Sequence, residues 1–195
     1  MSQPNATPLH PASQEHLLAA IPDRETILSS LFRETDRVQR TNSPLSILLF
    51  DIDDFAHHSA RFGPDLCDQL LCSVASRTMR LLRTYDLFGR PRTDAFLIGL
   101  PGCNLHNAVI LAERIRTDVF GPCFQLAGEP VFLTACLGVA SSQGRSPLVV
   151  LREVERALQR ARENGSDSIQ CGYEGLGAFS ASARVPNFSD GLPVK

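Results

Sequence analysis

The sequence predicts an α+β domain, an α/β-like sandwich in which a central mixed sheet is flanked by helices. Three observations carry that prediction. The apolar patterns follow the order helix, strand, helix, hairpin, helix, hairpin, helix, strand, which suits one sheet covered by helices. The apolar run Leu45–Phe50 lacks the polar alternation of a half-exposed strand, as expected for a strand covered on both faces. The chain has 195 residues, 43% hydrophobic and 21% charged, a globular composition long enough to enclose one sizeable core.

Asp23 precedes a helical stretch with Ile27, Leu28, Leu31 and Val38 near one face and Arg33, Glu34, Asp36 and Arg37 opposite. Asn42-Ser43-Pro44 ends it, and the strand Leu45–Phe50 leads into Asp51-Ile52-Asp53-Asp54-Phe55. Gly63-Pro64 opens a second helix through about Leu82, with Cys67, Leu70, Leu71 and Val74 as its core face. Asp86–Gly89 and Ala95–Leu100 read as strands around a polar turn, Arg90–Asp94. A third helix covers Leu105–Phe120. Phe124–Leu126 and Val131–Ala140 read as a hairpin joined through Gly128-Glu129-Pro130. A fourth helix starts at Pro147 and stops near Asn164-Gly165, and Ser168–Cys171 reads as a last edge strand. Residues 1–14, with their Pro, Ser, Asn and Gln, and residues 172–195, rich in Gly, Ser, Ala and Pro, are expected to be flexible tails around a domain at 15–171.

Charge and cysteine content narrow the function classes. Lys+Arg is 19 against 21 Asp+Glu, so the net charge is −2, which argues against a broad basic face for nucleic acid. All the basic residues but Lys195 are arginine. The apolar run Leu45–Phe50 is too short to span a bilayer, and residues 1–16 do not read as a secretory signal. The six cysteines form no C-x-x-C pair and read as reduced thiols of a cytoplasmic protein.

The carboxylates Asp51, Asp53 and Asp54 stand where a buried strand leaves the core, the kind of place where α/β sheets collect ligands. Alternation puts Asp51 and Asp53 on one face and Asp54 on the other. If the next hairpin pairs beside that strand, Asp51, Asp94 and a backbone carbonyl offer oxygen ligands of the kind Mg²⁺ takes. The alternative is that these aspartates cap the following helix or are simply solvated.

The segment Leu45–Phe55 resembles the first strand of a GGDEF domain, the diguanylate cyclase family. The resemblance extends over 15–171. His16–Arg24 is similar to a degraded form of the family's D-x-L-T-G-L-x-N-R opening segment, and Arg83-Thr84-Tyr85-Asp86 stands at the R-x-x-D inhibitory motif. Arg92-Thr93-Asp94-Ala95-Phe96 stands at the G-G-D-E-F signature. Ala112–Arg116, Leu137–Ala140 and Ala157–Arg162 resemble the later blocks. The implied fold is similar to the palm of class III nucleotide cyclases. The implied activity is the joining of two GTP molecules into cyclic di-GMP across a dimer, with two metals in each half.

The departures from the pattern bear on that activity. Asp51 and Asp94 keep two metal positions, but Ala95 replaces the second acidic signature residue, and Arg92 and Thr93 replace both glycines. Side chains there are expected to obstruct the nucleotide, unless Arg92 holds a phosphate instead. Ala56 stands at the phosphate-side lysine and Ser59 at the guanine-contacting asparagine, while Asp68 is retained at the other guanine position. Arg162 takes the place of a late lysine, and Ser166 that of an arginine. Loss of one transition-state donor typically costs about 10²–10³ in rate, so the combined losses predict no cyclase activity. Ser59, Asp68 and Arg162 are then a vestigial nucleotide set, and Asp51, Ile52 and Asp94 a vestigial metal set that need not be filled.

Arg83 and Asp86, at i and i+3, supply donors for the O6/N7 edge of guanine and an acceptor for its N–H groups. In the family this motif binds cyclic di-GMP, and Arg114 resembles the second arginine that completes the site. The bland alternative is a surface ion pair. The sequence therefore predicts a bacterial, cytoplasmic cyclic di-GMP receptor that needs no cofactor and acts through a protein partner, with a homodimer also compatible. Its rivals are a nucleotide-independent scaffold and a residual cyclase that binds GTP with Mg²⁺.

Overall fold

A computed structural model of the chain describes residues 17–142 and 144–172. After a short helical turn at 17–20, helix α1 spans Arg24–Thr41, followed by strand β1 (Leu45–Ile52) and helices α2 (Phe55–Phe62) and α3 (Pro64–Met79). Strands β2 (Leu87–Arg92) and β3 (Ala95–Pro101) form a hairpin. Helix α4 (Leu105–Arg114) continues into a π-helical segment at Ile115–Phe120. Strands β4 (Phe124–Leu126), β5 (Glu129–Val131) and β6 (Ala135–Ser141), helix α5 (Pro147–Glu163) and strand β7 (Ile169–Cys171) complete the order.

The main sheet has the order β2-β3-β1-β6-β7, antiparallel throughout except for the parallel pair β6–β7. It is the mixed sheet flanked by helices that the sequence predicts. Every residue of β1 is buried, because β3 and β6 pair with its edges and helices cover both faces. Leu48, Phe50 and Ile52 point into a core shared with Leu70, Leu71 and Val74 of α3 and Ala108 and Ala112 of α4. Leu45, Ile47 and Leu49 point the other way, against Ile27 and Leu31 of α1 and Val150, Val154 and Leu158 of α5. The sequence alternation of β1 thus decides which helix layer each side chain meets.

Local chemistry places the helices. Asp23 Oδ1 accepts the Thr26 N–H at 2.9 Å and caps α1, which holds the Asp23 carboxyl below its ordinary pKa; Asn42 ends the helix in the left-handed region, at φ 48°. Helix α5 lies directly on β6 at Gly138, where an added Cβ would come within 2.4 Å of the Val154 carbonyl oxygen. That approach carries the C-terminal end of α5 to the end of β1.

Four expectations need correction. The segment after Phe55, to which the sequence pattern assigns no element, is the helix α2; it has no fully buried residue, and Phe55 and Phe62 pack against the core from its one sheltered face. The second helix ends at Met79, not Leu82, because Leu81 and Leu82 close tighter turns onto Thr78 and Met79. The third helix widens to π form beyond Arg114, and Arg77 donates to the carbonyls of Val119, Pro122 and Cys123 at its end. The hairpin read over Phe124–Ala140 is two separate pieces: β4 and β5 pair only with each other, and β6 belongs to the main sheet. The break lies at Thr134, whose hydroxyl donates to Asp53 Oδ2 at 2.6 Å and whose carbonyl accepts the Asp53 N–H. The tails expected at 1–14 and 172–195 lie outside the described residues, except Gly172, whose N–H donates to the Val139 carbonyl at 2.6 Å.

Candidate functional site

The β2–β3 hairpin pairs beside β1, as the metal reading requires. Asp51 lies opposite Ala95, and the Ile52 N–H donates to the Asp94 carbonyl at 3.2 Å. Asp51, Ile52 and Asp94 are therefore brought together at one end of the sheet. Asp51 and Asp53 do share a side. Asp53 spends Oδ2 on the Thr134 hydroxyl and on the Asp167 N–H, and Asp54 is exposed at the start of α2 with φ 53°.

The carboxylate of Asp51 is met by arginine. Its side chain is 5% exposed, and its Oδ2 pairs closely with Arg162 from α5 and more loosely, at 3.9 Å, with Arg92 from the signature turn. Its Oδ1 is buried without a hydrogen-bond partner. Ala95 is fully buried and offers no carboxylate. Among the described residues no cluster of three His, Cys, Asp or Glu side chains is placed to hold a metal ion. As arranged, these side chains do not fit the family's metal pair: two guanidinium groups already face the carboxylate that would bind it.

The signature turn is built without glycine. Arg92 pairs with Ala95 across Thr93-Asp94, and neither turn residue adopts positive φ. Arg90 braces it, donating through Nε and Nη2 to the Thr93 carbonyl at 3.0 and 2.8 Å. The sequence reading missed Arg90, because its partner is a backbone carbonyl that no residue pattern announces. It also missed the Arg92–Asp51 contact, which the β1–β3 register creates.

The guanine-side candidates lie on α2 and α3. Ser59 bonds to Cys67, and the neighbouring Asp68 is exposed; burial pushes the Cys67 thiol up. No described contact joins Ser59 or Asp68 to Arg162.

The second candidate site is the turn between α3 and β2. The Arg83 N–H donates to Asp86 Oδ2 at 2.7 Å, and the Asp86 N–H donates to the Arg83 carbonyl at 3.0 Å, so the four residues close on themselves. The Arg83 guanidinium forms no ion pair with Asp86 among the described residues. Its Nη1 donates instead to the Tyr85 hydroxyl at 2.9 Å, a bond that raises the arginine pKa. The bland expectation of an i, i+3 side-chain ion pair is thus not met. Arg114, at the end of α4, is exposed and lies 3.9 Å from Asp118; no described contact joins it to Arg83 or Asp86.

The sheet order and the carboxylate-bearing hairpin define a domain of the diguanylate-cyclase type. The chain belongs to the GGDEF family: residues 17–168 match the family described as Diguanylate cyclase, GGDEF domain. It is 29% identical over 156 residues to the response regulator PleD of Caulobacter vibrioides, covering 78% of this chain and 34% of PleD. Among solved structures it is similar to the diguanylate cyclase SiaD of Pseudomonas aeruginosa in complex with its activator SiaC, at 30% identity and a TM-score of 0.73, covering 79% of this chain and 59% of SiaD. It also shares the fold of the GGDEF domain of DgcB from Caulobacter crescentus in complex with c-di-GMP, at 20% identity and a TM-score of 0.75, covering 88% of this chain and 96% of that one. The chain spans about a third of the length of PleD. Among the described residues no helix is long and apolar enough to cross a membrane.

Proposed function

We propose that this GGDEF domain is a cyclic di-GMP receptor without cyclase activity, its ligand held at the Arg83–Asp86 turn. The observation that carries the reading is the contrast between the two sites. At the old catalytic end, Asp51 is neutralised by Arg92 and Arg162 and the signature lacks its second carboxylate. Phosphoryl transfer depends on metal and donors placed in advance, so a guanidinium in the metal's place removes the chemistry. At the other site an exposed guanidinium and a carboxylate share one closed turn, the donor and acceptor set that suits guanine. Arg114 joins the site if the ligand bridges to α4. The DgcB relative was solved with c-di-GMP and SiaD with a protein activator, which supports a nucleotide ligand and a protein partner here. The domain is taken as 15–171, working in a bacterial cytoplasm.

The test is incubation of the purified protein with GTP and Mg²⁺ or Mn²⁺, followed by chromatography. The proposal expects no cyclic di-GMP above the protein-free control. Sustained product formation overturns the inactive reading in favour of a working cyclase.

A further inference from the structure

Tyr85 lies inside the R-x-x-D turn and is 59% exposed, against the usual habit of aromatic side chains to cover their rings. Its hydroxyl accepts from Arg83 Nη1 at 2.9 Å, and the Arg83 Cζ lies 5.8 Å from its ring centroid. The contact occupies only one side of the guanidinium fork. Arg83 is exposed, and no described hydrogen bond engages its Nε–H or Nη2–H, a side-on pair that can bind bidentately. Asp86 spends Oδ2 on the turn's own N–H and keeps Oδ1 as an acceptor. One four-residue turn therefore presents guanidinium donors, a carboxylate acceptor and an exposed aromatic ring, which together match the edge and the face of a purine base.

We propose that Tyr85 is a further binding residue of this site: its ring stacks on a guanine of cyclic di-GMP while its hydroxyl holds the Arg83 fork ready for that base. The inference rests on the receptor reading above. It adds a contact that the R-x-x-D pattern leaves open, since the two middle positions of that pattern specify no side chain. Stacking needs the ring and not the hydroxyl, whereas steering Arg83 needs the hydroxyl, so the two roles separate by substitution.

The experiment is calorimetric titration of wild-type protein, Tyr85→Phe and Tyr85→Ala with cyclic di-GMP, with tyrosine emission followed in parallel. Loss of a base–aromatic stack corresponds to a weakening of about tenfold or more, so Tyr85→Ala is expected at ~20-fold and Tyr85→Phe at ~3-fold. The chain has two tyrosines and no tryptophan, so ligand-induced quenching of tyrosine emission, corrected for ligand absorbance, should be seen in wild type and lost in Tyr85→Phe. Equal losses in the Phe and Ala variants, or tight binding by Tyr85→Ala with wild-type quenching absent, overturn the stacking role while leaving the receptor reading intact. Absence of cyclic di-GMP binding by wild-type protein overturns both. Circular dichroism of the variants matching wild type confirms that an exposed ring was removed without unfolding.

Discussion

Removing Arg162 should destabilise the protein more than removing the charge it neutralises. The Asp51 side chain is 5% exposed, Arg162 is 43% exposed and Arg92 40%. Orphaning a fully buried charge costs about 3–5 kcal/mol, and breaking an exposed pair about 0–1 kcal/mol. This pair lies between those limits, because the carboxylate is buried while the guanidinium reaches solvent. Arg162→Ala leaves Arg92 at 3.9 Å as a partial partner, so a cost of about 2 kcal/mol is expected. The double change Arg92→Ala/Arg162→Ala leaves the buried carboxylate alone and should cost about 3 kcal/mol or more. Asp51→Asn removes the buried charge and frees two arginines that water can solvate, so it should cost under about 1 kcal/mol. For a domain of this size ~2 kcal/mol lowers the melting temperature by about 4–8 °C. Thermal unfolding of the four proteins reads the order directly. A neutral double-arginine variant, or an Asp51→Asn loss as large as that of the double variant, refutes the neutralisation argument. So does a rise of several degrees in wild-type melting temperature on adding Mg²⁺, since a ligand that binds the folded state stabilises it.

Further outcomes are expected. Arg83→Ala and Asp86→Ala should each weaken cyclic di-GMP binding by about tenfold to a hundredfold in calorimetry, since hydrogen bonds to charged groups are worth about 1.5–3 kcal/mol; Arg114→Ala should cost less, and Asp51→Asn or Asp94→Asn should leave binding nearly unchanged. His58 is held below its ordinary pKa first by burial and next by His57, and its Nδ1 is buried without a partner. The unfolded chain therefore binds that proton more readily, so stability is full above the ordinary value of 6.5 and falls as the pH drops from there toward the folded pKa; His58→Gln should flatten that limb of urea midpoints measured against pH. Gly138→Ala should destabilise by about 2–3 kcal/mol in urea unfolding, because its Cβ would meet the Val154 carbonyl and Leu158 N–H of α5 at 2.4 and 2.5 Å.

Much of the fold was legible because it is written in local pattern. The apolar run of β1 announced a strand covered on both faces, and strand alternation sorted Asp51 and Asp53 onto one side. Asp23, Asn42, Pro64 and Pro147 mark helix boundaries through chemistry confined to a turn. What stayed hidden depends on contacts distant in the chain. Arg92 reads as an obstruction until the β1–β3 register sets Asp51 beside it, and Arg162 reads as a lysine substitute until α5 settles on Gly138. Helix α2 has no fully buried residue and only Phe55 and Phe62 packed against the core, so its apolar signal is too short to stand out from a loop. The break between β5 and β6 is made at Thr134 by Asp53, 81 residues earlier. At the R-x-x-D turn the spacing was readable, but the turn closes through backbone N–H groups and Arg83 turns to Tyr85, so the ion pair that the spacing suggests does not form.

A pair of calorimetric titrations of the wild-type protein, one with cyclic di-GMP and one with GTP and Mg²⁺, separates a receptor from a cyclase. A receptor of the proposed kind binds cyclic di-GMP saturably and without dependence on Mg²⁺, and shows no comparable binding of GTP. Tight, Mg²⁺-dependent GTP binding, or no response to cyclic di-GMP at high micromolar concentration, would contradict the receptor reading.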